Sequence, residues 1–243
     1  MRLLPILLAL LFTLDATAAT PEETVQAAMA KLAPQVKVDV VQESVVPGFY
    51  EAIIGSQFVY VSKDGRFVLD GSAIDANSRR DITEAARAKN RMVSLKKIGP
   101  DKRIIFAPPD PKWSVTVFTD LDCPFCRRFH EQIEAYNAAG IAVEYVFLPL
   151  EMHPGADKKA EAVWCSMDRK SAFTAAMMGG DTGTATCDNP VAESIDVARA
   201  IGINGTPTML ASDGTKVPPQ ISLVPEKLAA ELEHLANNPV APQ

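Results

Sequence analysis

Cys123 and Cys126 are the residues of this chain best equipped for covalent chemistry, two thiols a helical turn apart with Pro124 and Phe125 between them. The same spacing serves zinc sites, haem attachment and redox dithiols, so the cysteines alone leave the chemistry open. Their surroundings favour redox chemistry. Ser114-Val115-Thr116-Val117-Phe118-Thr119, upstream, is β-branched and aromatic and predicts a strand, while residues 127–139, closed by Gly140, predict a helix. The first cysteine therefore stands where a strand hands over to a helix. Zinc is the weaker reading, because Cys165 and Cys187 form no second CxxC and His130 and His153 fall at irregular spacings. No metal and no cofactor is expected.

A cysteine attacks a disulfide only as thiolate, and an unperturbed thiol with a pKa of about 8.5 is mostly protonated at neutral pH. At the first turn of a helix the unpaired backbone amides and the aligned peptide dipoles favour negative charge. Cys123 is thus expected to be the exposed, low-pKa attacking thiol, and Cys126, one turn further in, the partly covered thiol that resolves a mixed disulfide. Pro124 suits the early helix, where an amide hydrogen would go unused. Asp120 and Asp122 act against the thiolate, so a lowered pKa is expected without its size. His130 reads as a solvated helix residue, and His153, His234 and Met177-Met178 as loop or packing residues. Phe106, Phe118, Phe147 and Trp164 read as core.

The elements that must position the dithiol follow from patterning. The strand before Cys123, the helix after it and a strand at 142–147 make a strand-helix-strand unit with parallel pairing, preceded by a strand at 103–106. From about 150 to 201 only helical patterns appear, at 156–167, 171–178 and 191–201, which predicts a helical insertion. Thr208-Met209-Leu210, an Asp213-Gly214 turn and Lys216-Val217 predict a hairpin, residues 225–236 a last helix, and 237–243 a frayed tail.

Nearer the amino terminus, Thr20 is placed to cap a helix reaching about Leu32, with Pro21 at its first position and Glu23 three residues after the cap. Val36, Val38 and Val40 alternate with polar residues as in a strand, and further strands are expected at 49–54, 58–61 and, after the Asp64-Gly65 turn, 67–69. A unit of about fifty residues is close to the lower limit for a self-sufficient core and leaves sheet edges open; pairing with a second copy would remedy both. Asp81 caps a helix at 82–95 that either connects in solvent or packs on the next domain.

The chain has 243 residues, 47% hydrophobic and 22% charged, with 24 basic against 30 acidic side chains and a net charge of -6. Those values fit a globular protein of two domains, and no basic stripe offers a footprint for nucleic acid. Met1 to Leu14 is one positive charge followed by an apolar run too short to span a bilayer comfortably, and Ala16-Thr17-Ala18-Ala19 has the small residues of a cleavage site. A cleaved signal, export and an oxidising compartment are expected. The expected division is a signal at 1–19, an N-terminal domain at 20–78, a linker helix at 79–99 and a catalytic domain at 100–243, with its insertion at about 150–201.

Phe118-Thr119-Asp120-Leu121-Asp122-Cys123-Pro124-Phe125-Cys126, the helical insertion and Gly202-Ile203-Asn204-Gly205-Thr206-Pro207 together resemble the exported disulfide isomerases of Gram-negative bacteria, the DsbC family with its relative DsbG. The resemblance covers essentially the whole mature chain. It implies an α/β protein: a thioredoxin-like catalytic domain with a helical insertion, plus a small α+β, cystatin-like N-terminal dimerisation domain, assembled as a V-shaped homodimer in the periplasm. It implies that Pro207 is cis and faces the dithiol, and that Thr206 offers backbone groups to substrate and a hydroxyl to the active sulfur. It implies a structural disulfide between Cys165 and Cys187, expected to be buried, permanently oxidised and stabilising by roughly 3 kcal/mol. The implied activity is thiol-disulfide interchange on misoxidised or unfolded exported proteins, with a membrane thiol reductase of the DsbD type keeping Cys123 reduced. Two alternatives accompany it: a DsbG-like reductase that protects single cysteines from over-oxidation, and a dimeric chaperone with secondary redox activity. Two departures stand out. Thioredoxins carry a buried acid where this chain has Val117, which leaves Cys126 without an evident proton partner, with Glu144 as one candidate. Pro124-Phe125 resembles the Pro-Tyr of DsbG more than the Gly-Tyr of other isomerases.

Overall fold

A computed structural model describes residues 19–238. The signal read at the amino terminus lies outside the described residues except for its last residue, Ala19, and most of the polar tail lies outside them too. Among the described residues no helix is long and apolar enough to cross a membrane.

The first helix, α1 (Pro21–Leu32), begins as its sequence predicts: the Thr20 hydroxyl accepts from the Glu23 amide at 3.1 Å and the Glu23 carboxylate accepts from the Thr20 amide at 2.9 Å. Its Val25, Ala28 and Met29 pack on Ala52, Val59 and Val61 of an antiparallel sheet ordered β1 (Val40–Glu43), β2 (Phe49–Ile54), β3 (Gln57–Ser62), β4 (Val68–Asp70). The alternation of Val36, Val38 and Val40 predicts an earlier strand than the structure contains. Instead, the Gln26 side chain donates to the Val36 carbonyl and accepts from the Val38 amide, both at 3.2 Å, taking the place of a neighbouring strand. A ribbon too short and polar to predict, β5 (Ile74–Asp75) with β6 (Arg80–Asp81), follows.

Helix α2 (Ile82–Leu95) is capped by Asp81 as predicted and packs at both ends instead of crossing solvent. Its first half lies against the small sheet, where Ala86 meets Phe58 and Tyr60 and the Tyr60 hydroxyl is 2.6 Å from Thr83 Oγ1. Its second half enters the next core through Leu95, followed by Ile98.

That next layer is a five-stranded sheet ordered β11-β10-β8-β9-β7, built from β7 (Ile104–Phe106), β8 (Trp113–Thr119), β9 (Ile141–Phe147), β10 (Thr208–Ala211) and β11 (Lys216–Val217). Only β8 and β9 run parallel. The predicted helix between them is two, α3 (Pro124–His130) and α4 (Ile133–Ala138). Gln132 bonds back three residues to Phe129, so the turn tightens and the helix kinks there. The insertion supplies α5 (Ala156–Trp164), α6 (Arg169–Met177) and α7 (Val191–Ala200), and a short α8 (Pro219–Ser222) precedes α9 (Pro225–Asn237).

The alternation of strand side chains gives the sheet two apolar faces. Val115, Val117, Val143, Tyr145 and Met209 pack with Phe129, Tyr136, Phe173 and Leu228; Phe118, Val146 and Leu210 pack with Leu95, Ile98, Val197 and Ile201. Polar contacts then fasten α2 to the β10–β11 turn: the buried Arg91 guanidinium bonds Glu84 and donates to the Gly214 carbonyl at 3.1 Å, while Glu84 accepts from the Lys216 amide at 3.1 Å.

The approach at Gly214 admits no side chain. Its φ is +86°, and an added Cβ would collide with the Ala88 carbonyl of α2; Gly48 has the same φ with open space around it. Gly214→Ala should therefore destabilise the protein in urea by about 2 kcal/mol or more, and Gly48→Ala, which adds backbone strain alone, by about 1 kcal/mol. Equal losses would show that the close approach does not constrain the fold.

Candidate active site

Strand β8 ends at Thr119, and four residues later Cys123 serves as the N-cap of α3, with Pro124 at the first helical position. The Cys123 amide is turned back onto the Asp120 carbonyl at 3.2 Å, and the Arg127 amide bonds the Cys123 carbonyl at 3.1 Å, so the junction is a closed, bonded turn. Both thiols are free. Cys126 is 1% exposed and belongs to the core under the sheet, beside Phe129 and Tyr145. Cys123 is less open than expected, at 5%. The segment before β10 crosses over it, where Thr206-Pro207 is cis and the Cys123 thiol donates to the Thr206 carbonyl at 3.3 Å. Phe125, by contrast, is 61% exposed, and Pro124 is exposed beside it.

These surroundings separate the two thiols. A hydrogen bond from Cys126, helped by the Thr206 side chain and the amides of Cys126 and Phe125, brings Cys123 down to about 5 against the opposing effect of burial. The Thr206 hydroxyl is buried with no other hydrogen-bond partner, so it is available to the sulfur once the thiol proton is gone. Burial first, and then the Cys123 sulfur, push Cys126 far above the usual thiol range.

The two carboxylates that argued against a thiolate are both engaged. The Asp120 side chain is 0% exposed; its Oδ1 accepts from the Asp122 amide at 2.7 Å, and its Oδ2 from the Leu150 amide at 2.7 Å and His153 Nδ1 at 2.9 Å. Asp122 is bridged by Lys159 of α5 at 2.8 Å and Arg127 of α3 at 3.2 Å. His153, read from sequence as an unassigned loop residue, is thus part of the site. Its signal was absent because the partner lies 33 positions away.

Three further expectations are corrected. His130 is not solvated: it is buried, with Nδ1 2.9 Å from the Tyr145 hydroxyl and Nε2 3.0 Å from Thr174 Oγ1, and its rim packs edge-on to Phe106 and Phe173. Helix α6 of the insertion covers the face that a helix read alone would leave wet, and burial pushes the imidazole down to about 4. Glu144 is no proton partner for Cys126. It lies on the opposite face of β9 from Tyr145, paired to Arg103, whose guanidinium also bonds Thr116 and the Ile98 carbonyl. Cys165 and Cys187 are joined in a disulfide, yet the bridge is at the surface: Cys187 is exposed and Cys165 half-buried, because residues 179–189 form a loop exposed over most of its length.

Cys123 should titrate near 5 in iodoacetamide alkylation, with Cys126 unlabelled in the folded protein at pH 8. A folded pKa below the unfolded value of about 8.5 means that this thiol stabilises the reduced fold above that value and ceases to as pH falls through about 5. The urea stability of reduced wild type relative to Cys123→Ala should accordingly decline from pH 8 to pH 5. A constant difference would show that Cys123 has an ordinary pKa.

Residues 16–84 match the disulfide bond isomerase protein N-terminal domain, and residues 101–236 match a thioredoxin-like domain. The chain is 32% identical over 216 residues to the thiol:disulfide interchange protein DsbC of Escherichia coli strain K12, covering 86% of this chain and 89% of that one. It is 33% identical over 179 residues to DsbC of Dickeya dadantii, covering 73% and 74%. A solved disulfide interchange protein from Neisseria gonorrhoeae is 33% identical, with 56% of this chain and 98% of that one covered and a TM-score of 0.47. The identity extends across both the small sheet with its helix and the dithiol domain: the chain belongs to the DsbC family of thiol:disulfide interchange proteins.

Proposed function

We propose that the chain reshuffles non-native disulfides in exported proteins, with Cys123 as the attacking thiolate and Cys126 as the resolving thiol. One observation carries this reading: a low-pKa sulfur held at 3.3 Å against the Thr206 carbonyl, with a second, sealed thiol one turn behind it. Cys123 Sγ attacks one sulfur of a substrate disulfide; the S–S bond breaks, a mixed disulfide forms, and the other substrate sulfur leaves as thiolate. If that thiolate attacks a different substrate disulfide, and a later thiolate displaces Cys123, the substrate is isomerised with no net electron transfer. If Cys126 loses its proton and attacks Cys123 Sγ, the substrate leaves reduced and Cys123–Cys126 becomes the disulfide. Two electrons from a donor dithiol, a membrane reductase of the DsbD type, then restore it.

Thr206 and Pro207 lie against the sulfur, where an extended substrate segment would bond to the backbone beside them. Phe125, Met152 and Met178 are exposed at the dithiol end, apolar and conformationally adaptable contacts for unfolded chains. We assign the small sheet, at residues 20–78, to dimerisation; 79–99 to a linking segment; and 100–243 to catalysis, in a homodimer exported to the periplasm. The edge strand β4, with Leu69 exposed on it and Phe67 exposed just before it, supports pairing with a second copy.

Refolding of a scrambled multi-disulfide protein tests the chemistry: wild type should restore activity and Cys123→Ala should lose essentially all of it. Undiminished rescue by Cys123→Ala would make the chain a chaperone. Reduction of a sulfenic acid without reshuffling would make it a reductase of single cysteines. Removal of residues 1–78, which leaves Leu95 and Ile98 in the core of the dithiol domain, should give a monomer that reduces disulfides but isomerises poorly, and a dimer surviving that truncation, seen by light scattering, would overturn the assignment of the small sheet.

A further inference from the structure

We propose that His153 is a positioning residue for this reaction: as imidazolium it neutralises buried Asp120 beside Cys123, so that the thiolate of Cys123 and the charge of His153 stabilise one another and the reactivity of the dithiol responds to pH. The inference rests on the reading of Cys123 as the attacking thiolate.

The two carboxylates beside Cys123 are compensated unequally. Asp122 is compensated by Lys159 and Arg127, cations that persist through the whole physiological range. Asp120 is fully desolvated and three residues before Cys123, and its charged partner is a histidine, a group that changes charge within that range. A carboxylate can only accept, so the hydrogen in the 2.9 Å contact is on His153 Nδ1. The ring is 21% exposed, which leaves it open to proton exchange with water while it stays in contact with a side chain that is not.

The charges around the ring leave His153 as the variable one. The turn from β8 to α3 contributes Asp120, Asp122 and Cys123; α3 contributes Arg127 and α5 Lys159, both spent on Asp122; its own loop contributes exposed Glu151. The segment 202–207 that crosses over the thiol carries no titratable side chain. Asp120 raises the His153 pKa, chiefly by its hydrogen bond, with Asp122 and Cys123 adding to the pull. Linkage makes the interaction reciprocal: whatever the thiolate adds to the affinity of His153 for its proton, the imidazolium subtracts from the affinity of Cys123 for its own. When His153 loses its proton, Asp120 keeps its amide donors but its charge is no longer cancelled, and the thiolate beside it becomes less stable and more nucleophilic.

The experiment uses the full-length protein in reduced and Cys123–Cys126 oxidised forms, with alkylation kinetics against pH and NMR titration of the His153 imidazole. In wild type, alkylation should rise in two phases, one at the Cys123 pKa and a smaller one through the His153 pKa. In His153→Gln the second phase should vanish, the Cys123 midpoint should rise by about 0.5–1 unit, and the equilibrium constant for oxidation by glutathione disulfide should increase by about 3- to 10-fold, since the reduced thiolate has lost its neighbouring cation. In wild type, the His153 pKa should fall by a similar amount when the dithiol is oxidised, a measurement that does not depend on the variant folding. An imidazole pKa identical in the two redox forms, or a Cys123 midpoint unchanged in His153→Gln, overturns the inference about His153. Absence of any low-pKa phase in wild type would overturn the thiolate reading itself, and the two failures are therefore distinct.

Discussion

Negative charge has to be stabilised at the end of a strand whose next residues are acidic, and the junction depends on resolving that conflict. The structure does so by burying Asp120 among donors and by spending Lys159 and Arg127 on Asp122. Each solution draws on a different element. The Leu150 amide and His153 come from the loop after β9, Lys159 from the first helix of the insertion and Arg127 from α3 itself. The insertion is thus tied to the dithiol electrostatically as well as by packing. A carboxylate buried without those donors would cost several kcal/mol, and the turn that presents Cys123 would not hold.

The same economy appears behind the dithiol. Tyr145, His130 and Thr174 form a bonded row in which each polar group finds a partner inside an aromatic cluster of Phe106, Phe129 and Phe173. Such a row fixes ring orientations that apolar packing alone would leave free, and it registers α6 against α3. Cys126 sits on this floor, so its burial follows from the insertion as much as from the helix that carries it.

Much of the fold was legible because its signals are local. Thr20, Pro21 and Glu23 specify a helix start by themselves, Asp81 does the same for α2, and the β-branched run before Cys123 specifies a strand by its own periodicity. The dithiol was legible for the same reason, two cysteines and a proline within four positions. What escaped was set by contacts between distant segments. The strand expected at Val36 is replaced by bonds to a glutamine ten positions earlier; the solvated face of His130 is covered by Thr174, 44 positions later; and His153 acquires meaning only from Asp120. The exposure of Cys187 belongs to the same class, because whether a loop is covered depends on what else the chain leaves nearby.

The position of Glu144 on the far face of β9 bears on timing. Burial is the largest cause of the high pKa of Cys126, and it persists whether or not Cys123 is bonded to a client. Glu144, turned away toward Arg103, is not placed to take the Cys126 proton. In the reaction proposed above, a Cys126 that holds its proton makes escape the slow branch of a kinetic partition, and a covalent complex that lingers gives the client's own thiols time to search for their native partner.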